Sequence, residues 1–205
     1  MYIPDLYINE NQEEIEDFLH QNSFGVLINQ VEQKPWATHI PFVLDQNSDG
    51  LKVLHGHIAK ENPQWRNFEA NPAVLAIFSG AHSYISSSWY DHENVPTWNY
   101  LAVHVYGNIR ILDENDTLKT LSKLVDIYEK NSENPVSVAS FSAKTMLQTR
   151  GIVGFEIVIT DIQAVKKLSQ NRDDSNHQNI ILELKKTNNH QSNDIAIAMS
   201  KCPRK

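Results

Sequence analysis

Between residues 24 and 111 the chain is a succession of short β-branched and aromatic segments, and this most limits the folds open to it. FGVLIN, WATHIPFV and LKVLHGHI are separated by the turn-like EQK and DQNSDG. AVLAIF reads as a buried strand, HSYISSSWY alternates like a half-buried one, and TWNYLAVHVYGNIRIL makes a long strand expected to bend at Gly107. GIVGFEIVITDIQAVKKL returns to strand after a helical interval. Outside the segment that follows Lys60, helical spacing is found in three places. NQEEIEDFLH starts on Asn11 with Glu14 three residues on, in the manner of a capping box. DTLKTLSKLVDIYEK puts Leu118, Leu121, Leu124, Val125 and Tyr128 on one face, and a further helix is expected within Val136–Thr149. Six or seven strands, few of them joined by helices, define a mainly β chain: an antiparallel barrel with peripheral helices. Strand and helix do not alternate and no GxGxxG turn occurs, which disfavours a parallel doubly wound sheet.

A length of 205 residues with 40% hydrophobic content suits one sizeable domain. No apolar run approaches the roughly 18–20 residues that span a bilayer. MYIPDLYINENQEEI lacks a basic and then apolar leader, so no signal peptide or membrane partner is expected. The single Cys202 cannot form an internal disulfide and fits a reducing, cytoplasmic setting. The net charge is -7, yet residues 166–205 carry eight Lys and Arg against four Asp and Glu. Residues 1–172 are therefore expected to form the barrel domain and 173–205 a basic, polar tail, helical or crossing to a partner subunit. NNHQSN (188–193) is its most polar stretch and the one expected to be mobile.

Two regions carry chemistry. In HIAKENPQWRNFEA, Asn62 is a good N-cap and Pro63 suits a first helical position, so Lys60 is expected just ahead of a helix N-terminus, where an anion is favoured. An ordinary surface lysine is the competing reading. His55 and His57 share a strand face, and His39 on the neighbouring strand is a candidate third member. HxH without a further ligand is a poor metal site, and no metal is expected. SYISSSWYDHENVPTWNY concentrates rings and hydroxyls: Trp89, Tyr90, Trp98 and Tyr100 beside Ser86, Ser88, Thr97 and Asn99. A phosphorylated planar heteroaromatic needs stacking surfaces, polar edges and a cation, and flavin mononucleotide (FMN) fits. A barrel core and dimer interface would use the same aromatics. No GxSxG, HExxH, CxxC or Walker pattern occurs, and no catalytic constellation stands out.

ATHIPF (37–42), GHIAKENPQW (56–65), YISSSWY (84–90), VPTWNY (95–100), VHVYG (103–107), GIVGFEI (151–157) and KLSQNR (167–172) resemble the PaiB-type FMN-binding split-barrel proteins, regarded as negative regulators of protease and sporulation genes. Ser87 stands where that family often has proline. The resemblance implies a six-stranded antiparallel split β-barrel, related to the flavin reductase and pyridoxamine-phosphate oxidase folds, forming homodimers with FMN at the interface. It makes Thr38, His39, His57, Lys60, Ser86, Ser88, Trp89, Trp98 and Asn99 candidate FMN neighbours, with Gln170 and Arg172 closing the site. Transcriptional regulation is the implied role. A flavin oxidoreductase using reduced nicotinamide, or a haem-binding split barrel, is the alternative. DNA is a weakly supported partner, since no helix-turn-helix pattern occurs and only the tail is basic.

Overall fold

The structure, a computed structural model, describes residues 1–202. Its strands are β1 (Phe24–Val31), β2 (Lys34–Pro41), β3 (Val43–Gln46), β4 (Lys52–Ala59), β5 (Ala73–Ile85), β6 (Thr97–Ile111) and β7 (Ile152–Lys167). They form one sheet in the order β2-β1-β5-β6-β7-β4-β3. The α-helices are α1 (Gln12–Gln21), α2 (Glu114–Glu129), α3 (Ala143–Met146), α4 (Asp174–Lys186) and α5 (His190–Lys201).

The sheet has seven strands, not the six of the implied barrel: AVLAIF and the start of HSYISSSWY run together as β5, while WATHIPFV does not run as one strand. Phe42 interrupts it: its N–H donates to Ser23 O at 2.8 Å and its ring is buried. The ring meets Phe78 at 5.2 Å and Phe155 at 6.2 Å, both edge-on. The break has a topological consequence. β2 pairs with β1 and β3 pairs with β4, so the two extreme strands of the sheet are separated in sequence by a single residue. A sheet whose ends are joined so closely must curl back on itself, and β2 and β4 do come into contact.

The chain packs as two compact units. The first comprises Met1–Phe18, Ser79–Val103 and Gln163 onward; the second comprises Leu19–Phe78 and His104–Ile162. In the second, alternate residues of β1 (Gly25, Leu27 and Asn29) turn inward, and the Phe42, Phe68, Phe78 and Phe155 rings complete the interior. Full burial of each such ring contributes on the order of 1.5–3 kcal/mol. Gly107 permits close approach of the neighbouring strand: a Cβ there would lie 2.4 Å from Val158 O. α2 is capped by Asp113, whose carboxylate accepts from Asp116 N–H. Its buried residues are Thr117 and Thr120, while Leu118, Leu121, Leu124 and Val125 are half-buried and Tyr128 is exposed. The apolar face is thus turned from the one that hydrophobic spacing selects. Gly154 supplies the reason, because a Cβ at that position would strike Thr117 Oγ1 at 2.3 Å. The helical interval at 136–149 is three short pieces, the 3-10 turn Val138–Ser140, α3, and a second 3-10 turn that begins within it, Leu147–Gly151.

In the first unit, Asn11 caps α1 as expected, with Oδ1 accepting from Glu13 and Glu14 N–H. The reciprocal half of a capping box does not form, since the Glu14 carboxylate accepts from Lys166 Nζ at 2.5 Å. Residues after Arg172 contain α4 and α5, started by Asp173 and Asn189 caps. Ile180, Ile181, Leu184, Ile195, Ala196 and Met199 from these helices bury with Ile85, Tyr90 and Leu168. The polar NNHQSN stretch is the connection and cap between them. The basic tail also takes in residues 203–205, which lie outside the described residues.

Candidate functional site

In the second unit, Lys60 comes directly after β4 and is exposed. Its backbone is held on both sides: its N–H donates to Gly151 O at 2.8 Å, and its carbonyl accepts from the Trp65 indole at 2.9 Å. That bond to Gly151 brings the neighbouring exposed Arg150 alongside in the chain. Neither side chain has a carboxylate partner among the described residues. The expected α-helix after Lys60 is instead the five-residue 3-10 turn Pro63–Asn67, capped by Asn62 Oδ1 accepting from Gln64 N–H at 3.1 Å. So short a turn has little dipole, and the anion preference of this corner rests on the two cations.

The surrounding polar groups are organised by Gln64, a fully buried residue that sequence reasoning passed over. Thr38 Oγ1 donates to Gln64 Oε1 at 2.6 Å and accepts from Asn62 Nδ2 at 2.9 Å, while Gln64 Nε2 donates to Leu27 O at 3.2 Å. β1, β2 and the 62–67 turn are tied together by one amide, which is why NPQW carries a polar residue at an interior position. His57 is half-buried, and burial pushes its imidazole below the usual histidine range. His39 is exposed and stacks on Phe24 at 6.3 Å. The three histidines do not assemble. β2 is hydrogen-bonded to β1 and not to β4, and His55 turns to the buried Glu156 carboxylate, 3.0 Å from Nε2. Arg110 Nε donates to the same carboxylate at 2.8 Å, and Asp45 lies 3.5 Å from His55 Nδ1. Among the described residues no group of three or more His, Cys, Asp or Glu is placed to hold a metal ion.

In the first unit, strand alternation divides the VPTWNY residues between two faces. Trp98 is 53% exposed and meets Tyr84 edge-on at 5.9 Å and His82 at 6.2 Å, forming an aromatic surface. Thr97 and Asn99 point the other way. Asn99 is 0% exposed, its Nδ2 against Met199 Sδ at 3.4 Å and its Oδ1 accepting from Ser169 Oγ at 3.1 Å. Gln170, 4% exposed, is equally committed: Oε1 accepts from Leu168 N–H at 2.8 Å and Nε2 donates to Lys166 O at 2.5 Å. Ser86 Oγ caps the 3-10 turn Ser87–Trp89 and lies 2.8 Å from the Ser88 hydroxyl, which is exposed. The Trp89 ring packs half-buried on the unit's core, and its carbonyl accepts from Asn179 Nδ2 at 2.7 Å. Arg172 places its guanidinium over the Tyr90 ring at 5.1 Å. Lys167, which heads the same KLSQNR motif, was not among the expected contacts; its ammonium donates to Thr97 Oγ1 at 2.7 Å.

The fold defined by this curled antiparallel sheet is that of the split barrels. It is shared by the FAD and heme binding protein from Mycobacterium smegmatis, with a TM-score of 0.60 and 13% identity, covering 78% of this chain and 73% of that one. The flavocytochrome Anf3 from Azotobacter vinelandii likewise has a TM-score of 0.60, at 14% identity over 83% of this chain and 74% of that one. Residues 1–161 match the family described as "Putative FMN-binding domain". The chain belongs to that family. It is also 44% identical over 200 residues to Protease synthase and sporulation protein PAI 2 of Bacillus subtilis strain 168, covering 97% of this chain and 96% of that one. No described helix is long and apolar enough to cross a membrane.

Proposed function

We propose that the protein binds FMN and acts, as a homodimer, as a negative regulator of transcription. Two features, each within its own unit, support the flavin reading. The second unit presents Lys60 and Arg150, without a carboxylate partner among the described residues, at a backbone-pinned corner, with the half-buried His57, whose pKa burial lowers, on the strand leading to it. These are the groups for a flavin phosphate, with Thr38 and His39 as neighbours. The first unit presents Trp98 in an exposed aromatic surface, and the Ser86 and Ser88 hydroxyls beside Trp89. Asn99 and Gln170 contribute by fixing the strand and turn that carry Thr97 and Arg172. This cationic corner is the observation that carries the reading, since a solvent-facing lysine and arginine with no carboxylate partner among the described residues suit a phosphate.

The regulatory role is supported by the name and near full-length similarity of the Bacillus subtilis relative. Direct reading of DNA by the α4–α5 pair is disfavoured by geometry. Gln191 and Ser192 in the first turn of α5 are held by the His82 N–H and the Ser83 hydroxyl, at 3.1 and 2.9 Å. The test is the absorption spectrum of purified protein titrated with FMN, followed by anaerobic addition of NADH or NADPH. A flavin spectrum of bound FMN that nicotinamide does not bleach is expected. Rapid bleaching would replace the regulator with an oxidoreductase, and no perturbation of the flavin spectrum would end the FMN reading.

A further inference from the structure

The first unit holds a pair of cations, Lys167 and Arg172, of which the flavin reading uses only Arg172 and gives it no particular group to bind. Lys167 ends β7 and Arg172 lies five residues on, across a turn whose shape is over-determined. Ser169 adopts a left-handed φ of 59° and is buried, with its hydroxyl donating to Asn99. The Arg172 N–H donates to Ser169 O at 3.1 Å, and the Gln170 amide closes on Leu168 and Lys166. Several polar groups are thus committed to holding one short loop, and that loop presents Lys167 and Arg172.

The donors at this place exceed the acceptors. An ammonium has three N–H groups and a guanidinium five. Among the described residues Lys167 meets one acceptor, Thr97 Oγ1, and neither cation has a carboxylate partner. Arg172 Nε is buried with no hydrogen-bond partner among the described residues, while the Tyr90 ring lies beneath its guanidinium. Burial, and after it the Arg172 charge, hold the Lys167 ammonium below the usual lysine range. Two like charges kept close with no carboxylate partner among the described residues oppose folding, and an anion between them would relieve that cost.

We infer that Lys167 and Arg172, with Thr97 beside them, form an oxyanion site that takes a phosphate group. Lys167 supplies a compact charge and Arg172 a planar fork oriented by Tyr90, a combination that suits tetrahedral oxyanions. Ser169, Gln170 and Asn99 are positioning residues: they shape the turn and do not touch the anion. The phosphate can come from the flavin itself or from a separate phosphorylated molecule, and the site does not depend on Lys60 having a ligand.

The test is calorimetric titration of the full chain with inorganic phosphate at constant ionic strength, using chloride as the balancing anion. One site per chain is expected, with binding weakened on the order of tenfold or more in Lys167→Met and in Arg172→Met, and partly retained in Arg172→Lys. Phosphate should also shield Lys167 of the unsubstituted protein from acetic anhydride, mapped by mass spectrometry, a readout that needs no variant to fold. Unchanged phosphate affinity in folded variants, or equal acetylation with and without phosphate, would overturn the inference. Repeating the titration on protein saturated with FMN and then riboflavin separates the sources. Loss of phosphate binding only with FMN assigns the site to the flavin phosphate, whereas binding retained with both assigns it to a second phosphorylated ligand.

Discussion

Replacing Lys60 with alanine tests the proposed phosphate corner directly. A charge-assisted hydrogen bond is worth about 1.5–3 kcal/mol. Lys60 is exposed, so water competes with the phosphate and the lower end applies: about 1.5 kcal/mol, or roughly tenfold in Kd. The structure limits collateral damage, because Lys60 anchors its loop through backbone groups, to Gly151 and the Trp65 indole, and these remain in Lys60→Ala. Riboflavin, which lacks the phosphate, is the internal control. Fluorescence titration should show FMN weakened about tenfold and riboflavin unchanged, with the FMN difference shrinking at high salt as screening grows. Arg150→Ala should act in the same direction. Equal weakening of both flavins would mean that the corner touches the ring system or supports the fold. An unchanged FMN affinity would remove the phosphate from this corner and leave the Lys167–Arg172 pair as its place.

Two further outcomes concern stability. Glu156 is 3% exposed and accepts from His55 and Arg110, so Glu156→Ala loses two charge-assisted bonds and opens a small void. Arg110 is 58% exposed and free to turn to water, which discounts the loss to about 2–3 kcal/mol. That is roughly a 5–10 °C fall in Tm for a chain of this size, read by calorimetry; a change below about 2 °C would contradict a structural role for the carboxylate. Burial lowers the imidazoles of His57, His104 and His177 below the ordinary value of 6.5. The unfolded chain therefore binds more protons than the folded one below that pH, and stability falls as pH drops from about 6.5 toward 5. Thermal melts at constant ionic strength should show the decline, reduced in His177→Gln, and a flat Tm over that range would refute it.

How far the sequence could be read is clear from particular residues. The strands of the second unit announce themselves by β-branched and aromatic content, but not by which face is buried: in β1 the apolar alternation selects Phe24, Val26 and Ile28, whereas Gly25, Leu27 and Asn29 are the buried residues. Asn11 was legible as a cap because the cap bond is local. The period of two was also enough to place Trp98 and Asn99 on opposite faces, yet composition grouped them. The break at Phe42 was not legible, since FV continues an acceptable strand pattern and the reason for the break is a ring cluster drawn from residues 42, 78 and 155. The rotation of α2 was hidden for a similar reason, depending on Gly154 far along the chain. Polar side chains were the hardest to judge. Asn99, Gln170 and Gln64 look like ligand contacts or surface groups in sequence, and their amides are consumed inside the protein.

The amino-acid sequence by itself determined that this chain is a mainly antiparallel β protein, which segments are strands, where α1 begins, and which cations and rings were available to a ligand. Those properties come from periodicity, capping and residue chemistry, all of which act over a few residues. Tertiary structure alone decided that β2 and β3 sit at opposite ends of one sheet, that residues 174–201 bury an apolar face, and that Lys167 and Arg172 lie near each other with no carboxylate partner among the described residues. Each of these depends on contacts between distant positions, where a side chain's role is set by whether its hydrogen bonds and charges are met by the rest of the chain.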